Sequence, residues 1–154
     1  MKLVVAVVGK PRDAALAAAI VEYETRAAHY WPIEVHEVRG EPARSVSPEV
    51  VREKEGERLV KVLPVAAHVV ACDAGGTSMT SEEFSAWLQR ERERGGDVAF
   101  VIGGAFGLGS AVRSRSRTRL SLAPWTLAHE LARLVLAEQL YRAGTIVRHE
   151  PYHK

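Results

Sequence analysis

The sequence predicts an α/β fold, a mostly parallel sheet with helices on both faces. Short β-branched runs alternate with longer stretches of helical spacing along the chain, and two of those stretches open on recognisable caps. The 154 residues, 47% of them hydrophobic, suit one domain over 1–154. A chain of that length buries about 70% of its unfolded surface.

Residues 2–8 open the chain as a strand, apolar and β-branched after Lys2. An alanine-rich helix is expected over 11–30. Ile33 to Val38 alternates apolar residues with Glu34, His36 and Glu37, as a half-buried strand does, and a polar connection covers 39–46. Ser47 as cap and Pro48 at the first helical position start a helix over 48–63. A strand over 67–72 leads to the helix from Ser81 to Arg94, where Thr80 and Glu83 form a capping box and Gly95 and Gly96 end it. Val98 to Ile102 and 118–122 read as two further strands. The last helix, over 127–143, places Leu131, Leu134, Val135, Glu138 and Leu140 at near-helical spacing and is expected to stop at Gly144, with Thr126 as a candidate cap.

Composition narrows the function. The apolar runs fall short of the roughly 20 residues that span a bilayer, and the opening run is cut by Lys10, Arg12 and Asp13 before it makes a secretory segment. The expectation is a soluble protein. One cysteine, Cys72, allows no intrachain disulfide and fits a reducing cytoplasm. Charge is unevenly spread: residues 1–100 hold 13 Lys and Arg against 16 Asp and Glu, whereas 101–154 hold 8 against 3. The C-terminal third is a candidate polyanion-facing surface, with a solvated basic face as the alternative.

Ligands of parallel sheets sit beyond the carboxyl ends of the strands, so the loops after Cys72, Ile102 and Leu122 are the places for a site. The second of these, Ile102-Gly103-Gly104-Ala105-Phe106-Gly107-Leu108-Gly109, is rich in glycine and can bring its backbone close to a ligand. It is not a dinucleotide fingerprint, because it follows the fourth strand and lacks the acidic residue about 20 positions on. Gly9-Lys10 is not a phosphate loop, since Pro11 follows where Ser or Thr belongs. No metal set is expected: Pro151 separates His149 from His153, and no acidic or cysteine cluster completes a site. In the third loop Pro124 stiffens the approach to the last helix, and His129 and Arg133 share one face of it, each also readable as a surface polar residue.

The runs FVIGGAFGLG and SLAPWTLAHELARLVLAEQLYRAGTI, with the terminal PYH, resemble the SPOUT-class ribosomal RNA methyltransferases of the RlmH type. The resemblance spans the chain, including the opening KLVVAVVGK and the KEGERL segment. It implies a C-terminal deep trefoil knot, which ordinary topology rules would reject. It also implies a homodimer, S-adenosylmethionine bound in the knot loops, and a tail that helps to build the partner's site. Carried over by motif, Cys72, Gly103, Leu122, Ala123, Pro124, Trp125, Thr126 and Leu127 bind the cofactor. Gly144 stands where the family often has tryptophan, and His149-Glu150 where Asn-His usually precedes Pro-Tyr-His.

The implied activity is transfer of a methyl group to ring nitrogen 3 of a pseudouridine in large-subunit ribosomal RNA, in the cytoplasm. His129 and His153 are candidate bases, because histidine titrates nearest neutral pH, while Arg142 and Tyr152 suit the nucleotide. Arg113, Arg115, Arg117 and Arg119 form a run without an acid and are expected to touch RNA phosphate. If 110–116 is helical, Arg113 and Arg117 are neighbours; if 118–122 is a strand, Arg117 and Arg119 share a face. The alternatives are a SPOUT enzyme with another RNA target and a noncatalytic ribosome-binding protein.

Overall fold

The structure, a computed structural model, describes residues 1–44 and 46–154; Ser45, inside the polar connection expected over 39–46, lies outside the described residues. The chain runs through β1 (Leu3–Val8), α1 (Ala14–Ala28), β2 (Ile33–Val38), α2 (Pro48–Lys61), β3 (His68–Ser78), α3 (Ser81–Arg94), β4 (Val98–Ile102), α4 (Ser110–Arg115), β5 (Thr118–Ser121) and α5 (His129–Val147). The strands form one sheet in the order β2-β1-β4-β3-β5, and every pairing in it is parallel. No helix among the described residues is long and apolar enough to cross a membrane.

β1 is buried at all six positions because both faces of the sheet are covered. Leu3, Val5 and Val7 point into one core with Ala27, Phe84, Leu88, Leu136 and Leu140, from α1, α3 and α5. Val4, Ala6 and Val8 point into the other with Leu59, Leu63 and Val112, the side of α2 and α4. Trp31, fully buried at the exit of α1, donates its indole N–H to the carbonyl of Leu140 at 2.8 Å and so fastens α5 across the first core.

The caps act as the sequence suggests at α2 and α3. Ser47 accepts from the Val50 amide, the reciprocal Thr80 and Glu83 bonds are both made, and Gly95 takes the left-handed conformation at φ 76°. α1 starts later than expected, since Asp13 accepts from the Leu16 amide at 2.8 Å and sets the first turn there.

Three expectations need correction. β3 continues past Cys72: a bulge at residues 73–76 lets it rejoin β5 at Thr77 and Ser78. Gly144 does not stop α5. A Cβ at that position would lie 2.3 Å from Cγ of Tyr30, so the glycine serves a close crossing of helix and ring, and the helix ends near Arg148, before His149 at φ 55°. Thr126 does not cap α5 either, because Ala128 holds that position without a side-chain bond. Residues 110–115 are helical, as α4, and Thr118–Ser121 is a strand, as β5, so Arg117 lies between the two elements.

Candidate active site

The bulge of β3 and the loops after β4 and β5 converge on one cavity of about 540 Å³. Cys72, Gly103, Leu122, Ala123, Trp125, Thr126 and Leu127 line it, while Pro124 belongs to the same turn without forming wall. His129, at the first turn of α5, lines it too. The cavity is mainly apolar through Ile102, Leu108, Leu122 and Leu127.

The glycine loop is folded tightly on itself. The Gly107 amide donates to the Gly104 carbonyl at 3.1 Å, Gly107 has φ 84°, and a Cβ on Gly103 would meet the Gly107 oxygen at 2.5 Å. Beneath this loop lies Glu55 of α2, 5% exposed, whose Oε2 accepts from the Glu41 amide at 3.2 Å. Its Oε1 would sit 2.9 Å from a Cβ on Gly104 and has no hydrogen-bond partner among the described residues. Burial pushes the Glu55 carboxyl above its usual range, outweighing the Glu41 amide and the nearby Arg58.

A raised carboxyl pKa contributes stability that is present below the unfolded value, about 4.3, and lost as pH rises through the folded one. Glu55→Gln, which copies the protonated form, is therefore expected to melt with the wild type at about pH 4 and above it at about pH 8. Thermal unfolding across that range checks it. Parallel curves would mean that the carboxylate ionises there without cost.

Burial pushes the Cys72 thiol up to about 12, so the side chain stays a protonated piece of wall and is not a nucleophile. Its neighbour Asp73 was not legible as a site residue, although it directly follows the strand-end Cys72 in an Asp-Ala-Gly-Gly turn. Among the described residues it is the acidic side chain lining the cavity. Arg119 donates to its Oδ2 at 2.8 and 3.2 Å, Arg113 stands 3.5 Å from the same oxygen, and the Gly75 amide donates to Oδ1 at 3.0 Å. Burial opposes its charge, but the bonds from Arg119 and Gly75 win and hold the carboxyl below the ordinary range.

Arg133 departs from the surface reading. It is 7% exposed and paired to Glu24 at 2.8 Å, with Glu37 at 3.4 Å, so it ties α5 to α1 and β2. Of the pair, His129 lines the cavity, with Ala132 one turn on, and Arg133 does not.

Arg142, Tyr152 and His153 are brought together, but at the other end of α5, about 20 Å along the axis from His129. Tyr152 packs on Tyr141 with ring centroids 4.6 Å apart and donates to Glu138 at 3.0 Å. Arg142 binds the same carboxylate and lies 4.7 Å from the Tyr152 ring centroid. It also donates to Nδ1 of His153 at 3.2 Å, and Nε2 of that ring pairs with Glu82 at 2.8 Å. Glu150 accepts from the Tyr30 hydroxyl. The tail is thus anchored on its own chain, away from its own cavity.

Residues 1–153 match the family described as Predicted SPOUT methyltransferase. A protein of Gemmatimonas aurantiaca named Ribosomal RNA large subunit methyltransferase H is 64% identical over the whole of both chains. Relatives of the same name from an Anaeromyxobacter species and Listeria monocytogenes are 46% and 43% identical, again over both full lengths. Among solved structures, a probable methylase family protein from Haemophilus influenzae aligns with TM-score 0.56 at 15% identity, covering 99% of this chain and 70% of that one. A probable methyltransferase from Bordetella pertussis aligns with TM-score 0.54 at 15% identity, over 93% and 95%. By length of match and by identity, the chain belongs to the SPOUT methyltransferase family.

Proposed function

We propose that the chain, as one SPOUT domain over 1–154, transfers a methyl group from S-adenosylmethionine to ring nitrogen 3 of a pseudouridine in large-subunit ribosomal RNA. The observation that carries this is the convergence of the β3 bulge and the loops after β4 and β5 on one cavity beside His129, in a chain with full-length relatives named as ribosomal RNA methyltransferases. The same reading makes it a cytoplasmic homodimer with the C-terminal segment knotted through the loops that line the cavity.

The residues fit such a cofactor. Apolar walls suit an adenine ring, the absence of a Cβ at Gly103 lets the loop close on Gly107 as part of the wall, and Asp73 offers a carboxylate to a cation. When bound, S-adenosylmethionine supplies a methyl group made electrophilic by its positive sulfur. Gly103 and residues 122–127 hold and orient it through main-chain groups. The acceptor nitrogen must lose a weakly acidic proton, for which His129 on the cavity wall and His153 of a second copy's tail are the candidate bases. Aligning two bound reactants contributes about 7 to 11 kcal/mol at best, against about 10²- to 10⁴-fold from a positioned base, so alignment dominates. Arg142 and Tyr152 of the second copy serve alignment, by phosphate contact and stacking.

Incubation with a methyl-labelled donor and separated ribosomal particles is expected to place label on a pseudouridine of the large-subunit RNA. Label on another nucleotide would assign a different target. Tight donor binding without any transfer would leave only a ribosome-binding role.

A further inference from the structure

The four arginines at 113–119 do not form one surface. Arg115 turns inward, donating to the carbonyls of Val65 at 2.6 Å and Pro64 at 3.1 Å. Arg113, Arg117 and Arg119 instead line an open groove of about 410 Å³ along β5, the edge strand, with Gly75, Thr77 and Ser116. Arg113 and Arg119 are about half exposed, at 51% and 49%, and Arg117 has no ion partner among the described residues. The groove adjoins the cofactor cavity, because Arg113 lines both and Asp73, on the cavity wall, grips Arg113 and Arg119.

We infer that this groove holds backbone phosphates of the RNA strand beside the target nucleotide, and that Asp73 withholds two of its arginines until a cationic cofactor fills the cavity. The inference rests on the functional reading above. Guanidinium groups match phosphate oxygens in planar, bidentate fashion, and ion pairs whose arginines stand half exposed, as those of Asp73 do, are worth only about 1 kcal/mol, so a phosphate can take over the arginines. A cation in the cavity competes for the carboxylate from the other side. Its effect on RNA affinity is then matched by an equal effect of RNA on cofactor affinity, since coupling is reciprocal.

The test measures binding of large ribosomal subunits across a salt series, with no ligand, with S-adenosylmethionine, and with S-adenosylhomocysteine, whose sulfur is uncharged. Arg113→Ala/Arg117→Ala is expected to flatten the log-log salt slope by about 1.4, at roughly 0.7 per lost phosphate contact on single-stranded RNA. Arg117→Lys is expected to retain the wild-type slope. Asp73→Asn keeps an acceptor for the Gly75 amide and is expected to raise ligand-free affinity about fivefold, the equivalent of one exposed ion pair. It should also erase the advantage of S-adenosylmethionine over S-adenosylhomocysteine. An unchanged slope in the double variant overturns the groove, and unchanged ligand-free affinity in Asp73→Asn overturns the withholding. Methyl transfer by the wild type on the same particles reports separately on the functional reading.

Discussion

Gly103→Val is expected to abolish S-adenosylmethionine binding in calorimetry, and Gly103→Ala to weaken it at least about 100-fold, or about 2.8 kcal/mol. The reason is internal to the loop. A Cβ at position 103 would meet the oxygen of Gly107 at 2.5 Å and its carbonyl carbon at 2.6 Å, both of them backbone atoms that cannot rotate aside. The loop must open to admit even one methyl group, and opening it displaces main-chain groups from the cavity wall; two misplaced hydrogen bonds at about 1 to 1.5 kcal/mol each account for the loss. The turn lends Leu108 to the second core, but β4 is held by its pairings with β1 and β3, so the far-ultraviolet circular dichroism should be retained. Unchanged affinity in folded Gly103→Ala would remove the glycine loop from the cofactor site.

Deleting Tyr152 to Lys154 is expected to leave folding and cofactor affinity intact and to lower methyl transfer at least about 100-fold, the scale of a misplaced reactant. The deleted residues pack on Tyr141, Glu138, Glu82 and Arg142, none of which lines the cavity, while Trp31 and Arg133 still fasten α5 to the rest of the chain. On the proposed reading His129 and the tail both serve transfer, and since they stand at opposite ends of α5 that reading calls for the tail of a second copy. Mixing the truncated chain with Gly103→Val, after heterodimer formation is verified, should therefore restore part of the activity. Full activity of the truncated protein would free the tail of any role in transfer, and no rescue in a proven heterodimer would mean that each chain builds its own site. Sedimentation of the wild type at micromolar concentration is expected to show the dimer.

Most of the fold was legible because its signals are local. The capping box at Thr80 and Glu83, Pro48 behind Ser47, and the unbroken apolar run of β1 each act within a few residues. What stayed hidden depends on distant partners. Gly144 reads as a helix stop until the Tyr30 ring is seen against it, and Arg133 reads as surface until Glu24 and Glu37 arrive from α1 and β2. The cavity-lining residues Cys72, Gly103, Leu122, Ala123, Trp125, Thr126 and Leu127 could be found as a motif, because they lie in segments of fixed spacing that the resemblance covers. Asp73 could not, since its importance comes from Arg113 and Arg119, both more than one element away. The separation of His129 from Arg142, Tyr152 and His153 is likewise a property of the length of α5 and not of any short pattern.

Tyr30, Gly144 and Glu150 form a set whose members constrain one another's replacement. The ring of Tyr30 occupies the space that Gly144 leaves, and its hydroxyl donates to Glu150, an interaction that with burial pushes the phenol up to about 12 and keeps it a donor at any physiological pH. A larger residue at 144 would eject the ring and strand the carboxylate at 150, whereas the same change accompanied by a small residue at 30 and a neutral one at 150 would refill the space. Effects at these three positions should thus be strongly non-additive, and the order in which they can be exchanged is restricted to paths that clear position 30 before position 144 is enlarged.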